Sequence, residues 1–371
     1  SQIMGIKRYT ANADTTITDA FKENLQTRGT GSNMGLADSL EVFHIYGQAS
    51  SASAENSRIL IDFPVTTTIT SDRSAGTIPA SGSVSWFLRV HNVVHPGTLP
   101  RNYNMTISAV SRSWDEGTGL DMEGYTDSGS CNWTSAASSS GGDISWTTAG
   151  GDYHAAATGS TAYFDNGTED IEIDISHLVE EWVKGLSGGA KGNIYGVGIK
   201  MENESALSSS YTKKFSARGS QYFYSRPTLE ARWDSAIKDD RGNFYYSSSL
   251  APAADNLNDV YLYNYSRGRL VDIPGIGSGD NIYVNLYASA SDVPSGSALI
   301  LCGGGGATGS WVSTGVYSTA LCITASSTPL TTIHDVWSNL AQTVEYHTGS
   351  ITPKSLNSSE QNSVSQVVMN I

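Results

Sequence analysis

The sequence predicts an all-β protein made of two β-sandwiches. Apolar and polar residues alternate over several segments, a period typical of half-buried strands. The clearest of these segments are 40–46, 84–90, 171–175 and 282–287. Clusters of Gly, Ser, Asn and Asp, such as 127–140 and 302–310, lie between such segments and favour turns. Short strands with frequent turns, without a regular strand–helix alternation, indicate a sandwich or jelly roll.

One short helix is predicted near 177–184, because apolar residues recur there at helical spacing. These residues are Leu178, Val179, Trp182 and Val183. Ser176 is a candidate N-cap, and Gly185 is a typical C-terminal stop. We expect the helix to close one end of a sandwich, with Trp182 as its anchor. A second, weaker helical pattern runs over 333–340, and we base no prediction on it.

A domain boundary is predicted near residue 235, giving a first domain over 1–235 and a second over 236–371. The run 226–233 has the pattern of a last strand, and the polar stretch 234–243 that of a linker. Residues 237–371 carry only 5 basic and 10 acidic side chains. Another chain could cover part of this surface, since interface cores are depleted of charge. Alternatively, Ser, Thr and Asn replace charge on an ordinary solvated surface.

The charge of the chain disfavours two classes of partner. It has 36 acidic and 22 basic side chains, a formal net charge of −14, and never more than two basic residues in succession. Nucleic acids and anionic membranes are bound by clustered Lys and Arg, and no apolar run approaches the roughly 20 residues of a membrane span. We therefore predict neither a nucleic-acid nor a membrane partner.

The cysteines are sparse and odd in number. They are Cys131, Cys302 and Cys322, with no C-x-x-C spacing among them. Such a set argues against a secreted disulfide scaffold and against a structural zinc site.

Several segments, taken in order, carry a family resemblance over about 1–235. They are 13–17, 57–63, 113–119, Trp133, 150–152, the helix with Trp182, 193–199 and 226–229. This series resembles the DNRLRE-type domain, a jelly-roll sandwich that overlaps a family of carbohydrate-binding modules. The resemblance implies a jelly roll for the first domain. Such domains occur beside polysaccharide-degrading enzymes, in cell-surface proteins and in virion proteins of tailed phages, so the fold does not settle the function.

The second domain, with its Tyr-rich strands and polar tail, looks like an immunoglobulin-like sandwich of the kind appended to phage structural proteins. The whole construction resembles virion components of marine tailed bacteriophages. This resemblance implies a non-enzymatic structural protein on the virion surface, as a head decoration, collar or fibre-like component. Its partners would be further copies of itself in a homo-oligomer and other virion proteins. The alternative is a soluble carbohydrate-binding module or a cell-surface adhesion protein, with polysaccharide as the partner.

Four acidic residues form a candidate calcium site, the one cofactor that the sequence suggests. Asp115, Glu116, Asp121 and Glu123 lie within nine residues on a loop that contains glycine. Calcium prefers oxygen ligands on flexible loops, although the spacing is not that of an EF-hand. The alternative is a solvated acidic loop.

Four aromatic residues are candidate contacts for a glycan or a protein partner. Trp133, Trp146, Tyr153 and Tyr163 fall in the Gly- and Ser-rich region 125–165, where loops would cluster at one end of the sandwich. Sugars stack on aromatic faces, and protein interfaces are also rich in aromatic residues. Some of the four are expected in the core.

No catalytic residues are predicted. The sequence contains no H-E-x-x-H, no Gly-x-Ser-x-Gly and no P-loop pattern. Asp115 and Glu116 are adjacent, so on a strand they point to opposite faces. They are poorly placed for glycoside hydrolysis, in which two carboxyl groups face one bond.

Overall fold

The all-β prediction is confirmed. In the computed structural model, strands make up 44% of the chain and helical residues 10%. The structure describes residues 4–94, 100–120, 123–125, 127, 130–155, 158–185, 195–235, 239–289, 294–324 and 328–355. The chain divides into two compact units, one of Ser1–Asp72 with Ala80–Asp234 and one of Arg73–Pro79 with Ser235–Ile371. Within the described residues, no helix has the length and apolar character needed to cross a bilayer.

The first unit is an antiparallel β-sandwich. Its strands are β1 Met4–Thr10, β2 Ala13–Thr18, β3 Ser39–Tyr46, β4 Ala54–Asp62, β5 Ser85–Val90, β6 Tyr103–Ala109, β7 Ser135–Ser139, β8 Gly142–Ser145, β9 Ser160–Phe164, β10 Ile171–Asp174, β11 Val197–Met201, β12 Ser210–Ser216 and β13 Thr228–Asp234. One sheet has the order β1-β13-β5-β10. The other has the order β12-β3-β4-β11-β6-β9, with β2 also paired to β4, while β7 and β8 form a separate hairpin.

Strand β4 is buried on both faces, which explains its continuous apolar run. Ile59, Leu60 and Ile61 are all fully buried. Successive side chains of a strand point to opposite faces, and Leu60 packs in a cluster with Trp133 and Trp146. The loops that carry these two tryptophans therefore cover the seven-stranded sheet on the Leu60 side.

The predicted short helix is present as α2, Ser176–Lys184, after a five-residue helix α1, Thr70–Ser74, that was not predicted. Trp182 is fully buried, as expected of an anchor. Gly185 ends α2 in the left-handed region at φ 64°. The N-cap prediction is wrong, because Ile175 is the cap. The Ser176 hydroxyl instead accepts a 2.7 Å hydrogen bond from the Trp86 amide and so ties α2 to β5.

The second unit is built on one seven-stranded antiparallel sheet, with the order β14-β20-β19-β17-β21-β22 and β18 paired to β17. Its strands are β14 Asn258–Tyr263, β15 Tyr265–Ser266, β16 Arg269–Leu270, β17 Asn281–Ala288, β18 Ser295–Ala298, β19 Ala307–Ser313, β20 Val316–Leu321, β21 Ile333–Ser338 and β22 Glu345–Ile351. Strand β21 covers most of the weak helical pattern at 333–340. It is extended because β17 and β22 pair with it on both sides.

Part of the stretch 234–243, interpreted above as a linker, is a packed element of the second unit. Its 3₁₀ turn, Asp240–Asn243, lies beside β14. The Asp259 amide donates to the Asp240 carboxylate at 2.7 Å, and the Tyr261 carbonyl accepts from Arg241 at 3.2 Å. Arg241 also pairs with Asp335, a fully buried carboxylate on β21. This element therefore covers one edge of the sheet.

One disulfide, which the cysteine count did not indicate, joins Cys302 and Cys322. The two residues are 20 apart in sequence, but their Cα atoms lie 5.4 Å apart. The Cys302 amide donates to the Cys322 carbonyl at 2.9 Å, next to an antiparallel bridge between Leu301 and Ile323. Counting cysteines could not reveal this proximity, because it depends on the sheet. Cys131 is free and buried.

We expect the Cys302→Ser, Cys322→Ser double variant to lower the free energy of unfolding of the second unit by about 3 kcal/mol, since a cross-link that closes a loop of this length restricts the unfolded chain. Calorimetry with and without reductant measures the effect. The double variant heated with reductant is the matched control, because it has no Cys302–Cys322 bond to reduce. Equal melting of the oxidised wild type and the double variant would contradict the prediction.

Candidate functional site

Arg58 joins several of the segments that carry the family resemblance. Its guanidinium donates to Glu204 at 3.0 and 2.6 Å and to the Gly150 carbonyl at 2.7 Å. The same group lies 4.9 Å from the centre of the Trp133 ring and 5.7 Å from that of Tyr153. Arg58 thus holds β4 and the loop containing Gly150 together by charge and by cation–π contacts.

A polar groove of about 590 Å³ lies beside Arg58. Its lining includes Ser111, Arg112, Thr147, Thr148, Asp152 and Lys200. Burial raises the pKa of Asp152, but hydrogen bonds from the Thr147 and Thr148 amides outweigh this and hold that pKa below its ordinary value. The groove thus offers hydroxyls and fixed charges, the groups that recognise a polar ligand.

The four predicted aromatic contacts are not brought together on one surface. Trp133 and Trp146 are only 8% and 5% exposed, which corrects the expectation that they present stacking faces. They are buried because they pack under β4 with Leu60. Tyr153 is partly buried and donates to the Gly150 carbonyl at 2.8 Å. Tyr163 alone of the four is well exposed, on β9 at the edge of the seven-stranded sheet.

In the predicted calcium loop, Glu116 serves as a structural bridge. Its carboxylate accepts hydrogen bonds from the Arg218 guanidinium, at 2.7 Å from Nε, and from the Asp14 amide at 2.8 Å. Asp14 in turn accepts from the Arg218 amide at 2.6 Å. Glu116 would have to give up these contacts to coordinate an ion.

The other three predicted calcium ligands give the site no further support. The Asp115 amide donates to the Ala136 carbonyl at 3.0 Å. Asp121 lies outside the described residues, and Glu123 begins a 3₁₀ turn in which its side chain is not described. Among the residues that the structure describes, no group of three or more His, Cys, Asp or Glu could hold a metal ion. Calcium binding stays a prediction.

A charged network that was not predicted from the sequence lies on the outer face of the four-stranded sheet. Glu230 on β13 accepts from Arg8 on β1 at 2.6 Å, from Arg89 on β5 at 3.0 Å and from Arg232 on its own strand at 2.6 Å. Burial raises the pKa of Glu230, but the three arginines outweigh it and lower that pKa to about 2. One carboxylate therefore holds three cations in place across three neighbouring strands.

A groove of about 690 Å³ lies on this network, and we call it the outer-face groove. Its basic lining residues are Lys7, Arg8, Arg89 and His91. Ile6, Phe223 and Tyr224 supply its apolar lining. Phe223 and Tyr224 are 58% and 85% exposed, and their rings meet edge to face with centres 5.6 Å apart. The groove thus combines aromatic faces with positive charge on a rigid sheet.

One sequence signal could have indicated the aromatic wall of the outer-face groove. Residues 222–224 are three consecutive aromatics, closely followed by Arg226 and Pro227. Three consecutive side chains cannot all point to one face of a strand, so such a run indicates that an aromatic ring is exposed. In the structure, Tyr222 is the N-cap of a short 3₁₀ turn, Phe223–Ser225, and no residue of that turn is buried. The arginine network had no comparable signal, because Arg8 and Glu230 are 222 residues apart.

Comparison with known proteins leaves the family open. No protein-family model matches the chain, and the curated proteins contain no match to it.

We expect Asp14→Asn to change how stability depends on pH. Burial, with a contribution from nearby Glu116, raises the pKa of Asp14 from 3.8 to about 7. The Asp14 carboxyl therefore binds its proton more tightly in the folded state than in the unfolded state. The stability that this protonated carboxyl provides at low pH is lost as pH rises from about 4 through 7. The melting temperature of the variant relative to wild type should rise from pH 4.5 to pH 8. Asp143→Asn, at an exposed position, is the matched control, and a pH-independent difference for Asp14→Asn would count against the assignment.

Glu230→Gln should lower the free energy of unfolding by about 3 kcal/mol near neutral pH, because it leaves three arginines without their shared carboxylate. The pKa of Glu230 is lowered from 4.5 to about 2, so its stabilisation is complete above 4.5 and is lost as pH falls through 2. The difference from wild type should therefore shrink between pH 4.5 and pH 2. Glu172→Gln, a more exposed partner of Arg232, is the control. A variant as stable as wild type at pH 7 would show that the network is not structural.

Proposed function

We propose that this chain is a non-enzymatic structural protein on the surface of a tailed-phage particle, which holds neighbouring components through its β-sheet surfaces. The outer-face groove carries this proposal. It places exposed aromatic rings beside a fixed arginine network, which are the residue types that dominate protein contacts. These groups are suited to binding, and the arginines are tied to Glu230 by ion pairs.

Two further features agree with a place on the outside of a particle. The disulfide between Cys302 and Cys322 belongs to the kind of bond that persists on virion and cell surfaces and is rare in the reducing cytosol. The all-β construction and the resemblance of the first unit to domains found in virion proteins point in the same direction. Self-association and other virion proteins are the partners that this role requires.

A carbohydrate-binding module is the second candidate, and the polar groove beside Arg58 favours it. Hydroxyls of Ser111, Thr147 and Thr148 and the cations of Arg112 and Lys200 line that groove, and such groups hydrogen-bond sugar hydroxyls or carboxylates. The exposed face of Tyr224 in the outer-face groove offers a stacking surface. In this role, the first unit would hold a polysaccharide without cleaving it.

Quantitative mass spectrometry of gradient-purified phage particles tests the first candidate. We expect the chain in stoichiometric copies, at a constant ratio to the major capsid protein across the gradient, because a structural subunit is built into every particle. An antibody raised against the recombinant full chain should also label intact particles. Absence from particles, or a ratio that falls along the gradient as a contaminant's would, contradicts the proposal.

Binding of the full chain to a panel of acidic and neutral polysaccharides separates the two candidates. A structural subunit should show no affinity for them. A carbohydrate-binding module should bind at least one, and Lys200→Ala or Tyr224→Ala should weaken that binding, depending on which groove is used. Tyr211→Ala, which removes an exposed aromatic outside both grooves, is the matched control.

A further inference from the structure

Strand β1 has an open edge. It is the terminal strand of its sheet and pairs with β13 alone. In an antiparallel pair, every second residue of a strand directs its backbone N–H and C=O groups toward the partner strand. The Ala11 amide donates to the Pro227 carbonyl at 2.9 Å, so Ala11 and every second residue before it face β13. In this register, Ile6, Arg8 and Thr10 point their backbone N–H and C=O groups away from β13. Within the described part of the chain, these outward groups make no hydrogen bond.

Two other sheet edges of the protein are covered. The second unit covers β14 with the side chains of Asp239, Asp240 and Arg241. In the first unit, residues 91–93 pair with the outer edge of β12. The Val93 amide donates to the Lys214 carbonyl at 2.9 Å. Natural proteins usually block open edges, because an unpaired strand recruits other strands. The open edge of β1 is accessible to such a strand.

The outer-face groove runs along this edge, since Ile6, Arg8 and Thr10 belong to both. Four of the described residues that line the groove are basic. Lys7 pairs with Asp72 at 2.6 Å and His91 with Asp170 at 3.3 Å, so their charge is balanced nearby. Arg89 pairs with Glu230, which leaves Arg8 as the most exposed cation of the groove. Arg8 keeps 52% of its side chain exposed, whereas Glu230, which partly neutralises it, is only 2% exposed. A molecule that approaches the edge therefore meets the positive charge of Arg8, although the chain as a whole carries −14.

We propose that the β1 edge binds an extended acidic peptide segment of a partner protein as an added strand. Main-chain hydrogen bonds to Ile6, Arg8 and Thr10 would hold the segment. Carboxylates at alternate positions would lie opposite Arg8, within the 4.5–5.5 Å between Cβ atoms typical of directly opposed residues. Phe223 and Tyr224 would pack against its side chains. The inference rests on the proposed function, because it names the chemistry of the component that the groove holds.

The same geometry disfavours a second copy of β1 as the occupant. When two β1 strands, Met4–Thr10, pair antiparallel with full overlap, Lys7 lies opposite Lys7 and Arg8 lies opposite Ile6. Like charges directly opposed across strands are destabilising. Registers that avoid this contact shorten the overlap of an edge that offers only four outward residues, Met4, Ile6, Arg8 and Thr10. An acidic strand would hydrogen-bond the outward backbone groups of β1 and would also neutralise the charge of Arg8.

The test uses the full chain and four blocked nine-residue peptides as probes. The first alternates Glu and Thr, the second and third replace Glu by Lys or Ser, and the fourth is the Glu-Thr peptide with N-methylated backbone amides. By isothermal titration, we expect the Glu-Thr peptide to bind at least tenfold more tightly than the Ser-Thr peptide. N-methylation should weaken its binding at least tenfold, because it removes the donors of the ladder, and the Lys-Thr peptide should not bind.

Charge reversal in the protein gives the second arm. Arg8→Glu should weaken binding of the Glu-Thr peptide at least tenfold and create affinity for the Lys-Thr peptide. Arg101→Glu, the same change at an exposed position outside the groove, is the matched control and should leave both affinities unchanged. Because Arg8 contacts Glu230, the double variant Phe223→Ala, Tyr224→Ala at exposed positions serves as a second test, with a several-fold loss expected. Melting curves establish that each variant is folded.

Several outcomes would overturn the inference. They are no binding of the Glu-Thr peptide to the folded wild type, equal binding of the N-methylated peptide, and binding insensitive to Arg8→Glu. If polymannuronate binds and Arg8→Glu abolishes that binding while the peptides do not bind, the groove is a glycan site and the strand proposal fails. Absence of the chain from particles would instead defeat the proposed function and leave the peptide result standing, so the two failures are distinguishable.

Discussion

The carboxylate of Glu230 fixes the surface on which the functional argument depends. It is buried on the outer face of a sheet and accepts hydrogen bonds from arginines on three adjacent strands. Packing alone would not hold long cationic side chains in one place, because they keep much of their rotamer entropy when exposed. The shared carboxylate supplies that constraint. The opposite face of the same strands is a buried apolar row, in which Tyr9, Leu229 and Leu88 lie side by side in register.

The same use of charge recurs in the interior of the first unit. Lys213 is fully buried between Phe164 and Phe215, and its ammonium donates to the Asn92 side chain at 2.6 Å and to the Glu169 carbonyl at 2.8 Å. Burial lowers the pKa of Lys213 to about 8. Such groups are satisfied by several fixed oxygens, as a buried cation requires. Several of the few ionisable residues of this protein therefore join distant segments.

The sequence predicted the fold class and failed where contacts depend on the assembled sheets. Alternation identified strands such as β3, β5 and β17, and helical spacing with Gly185 identified α2, because these signals are local. The disulfide and the arginine network join residues far apart in the chain, so local residue spacing cannot predict them. Trp133 and Trp146 were assigned to a surface because their segment is rich in Gly and Ser. The loops instead fold back over β4, and burying two indole rings outweighs the polar character of the segment.

The two candidate surfaces differ in what they offer a partner, and the difference favours a protein over a sugar at the β1 edge. The groove beside Arg58 presents side-chain hydroxyls and charges in a concave polar site. The outer-face groove adds something that side chains cannot supply, a row of backbone donors and acceptors at the regular spacing of a strand. A polypeptide matches that repeat with its own backbone, whereas a sugar chain has no equivalent ladder. Arg8 and Glu230 are 222 residues apart, so the proposed binding surface forms only after the first and last strands of the unit have paired. Recognition at the edge would therefore require the folded sandwich.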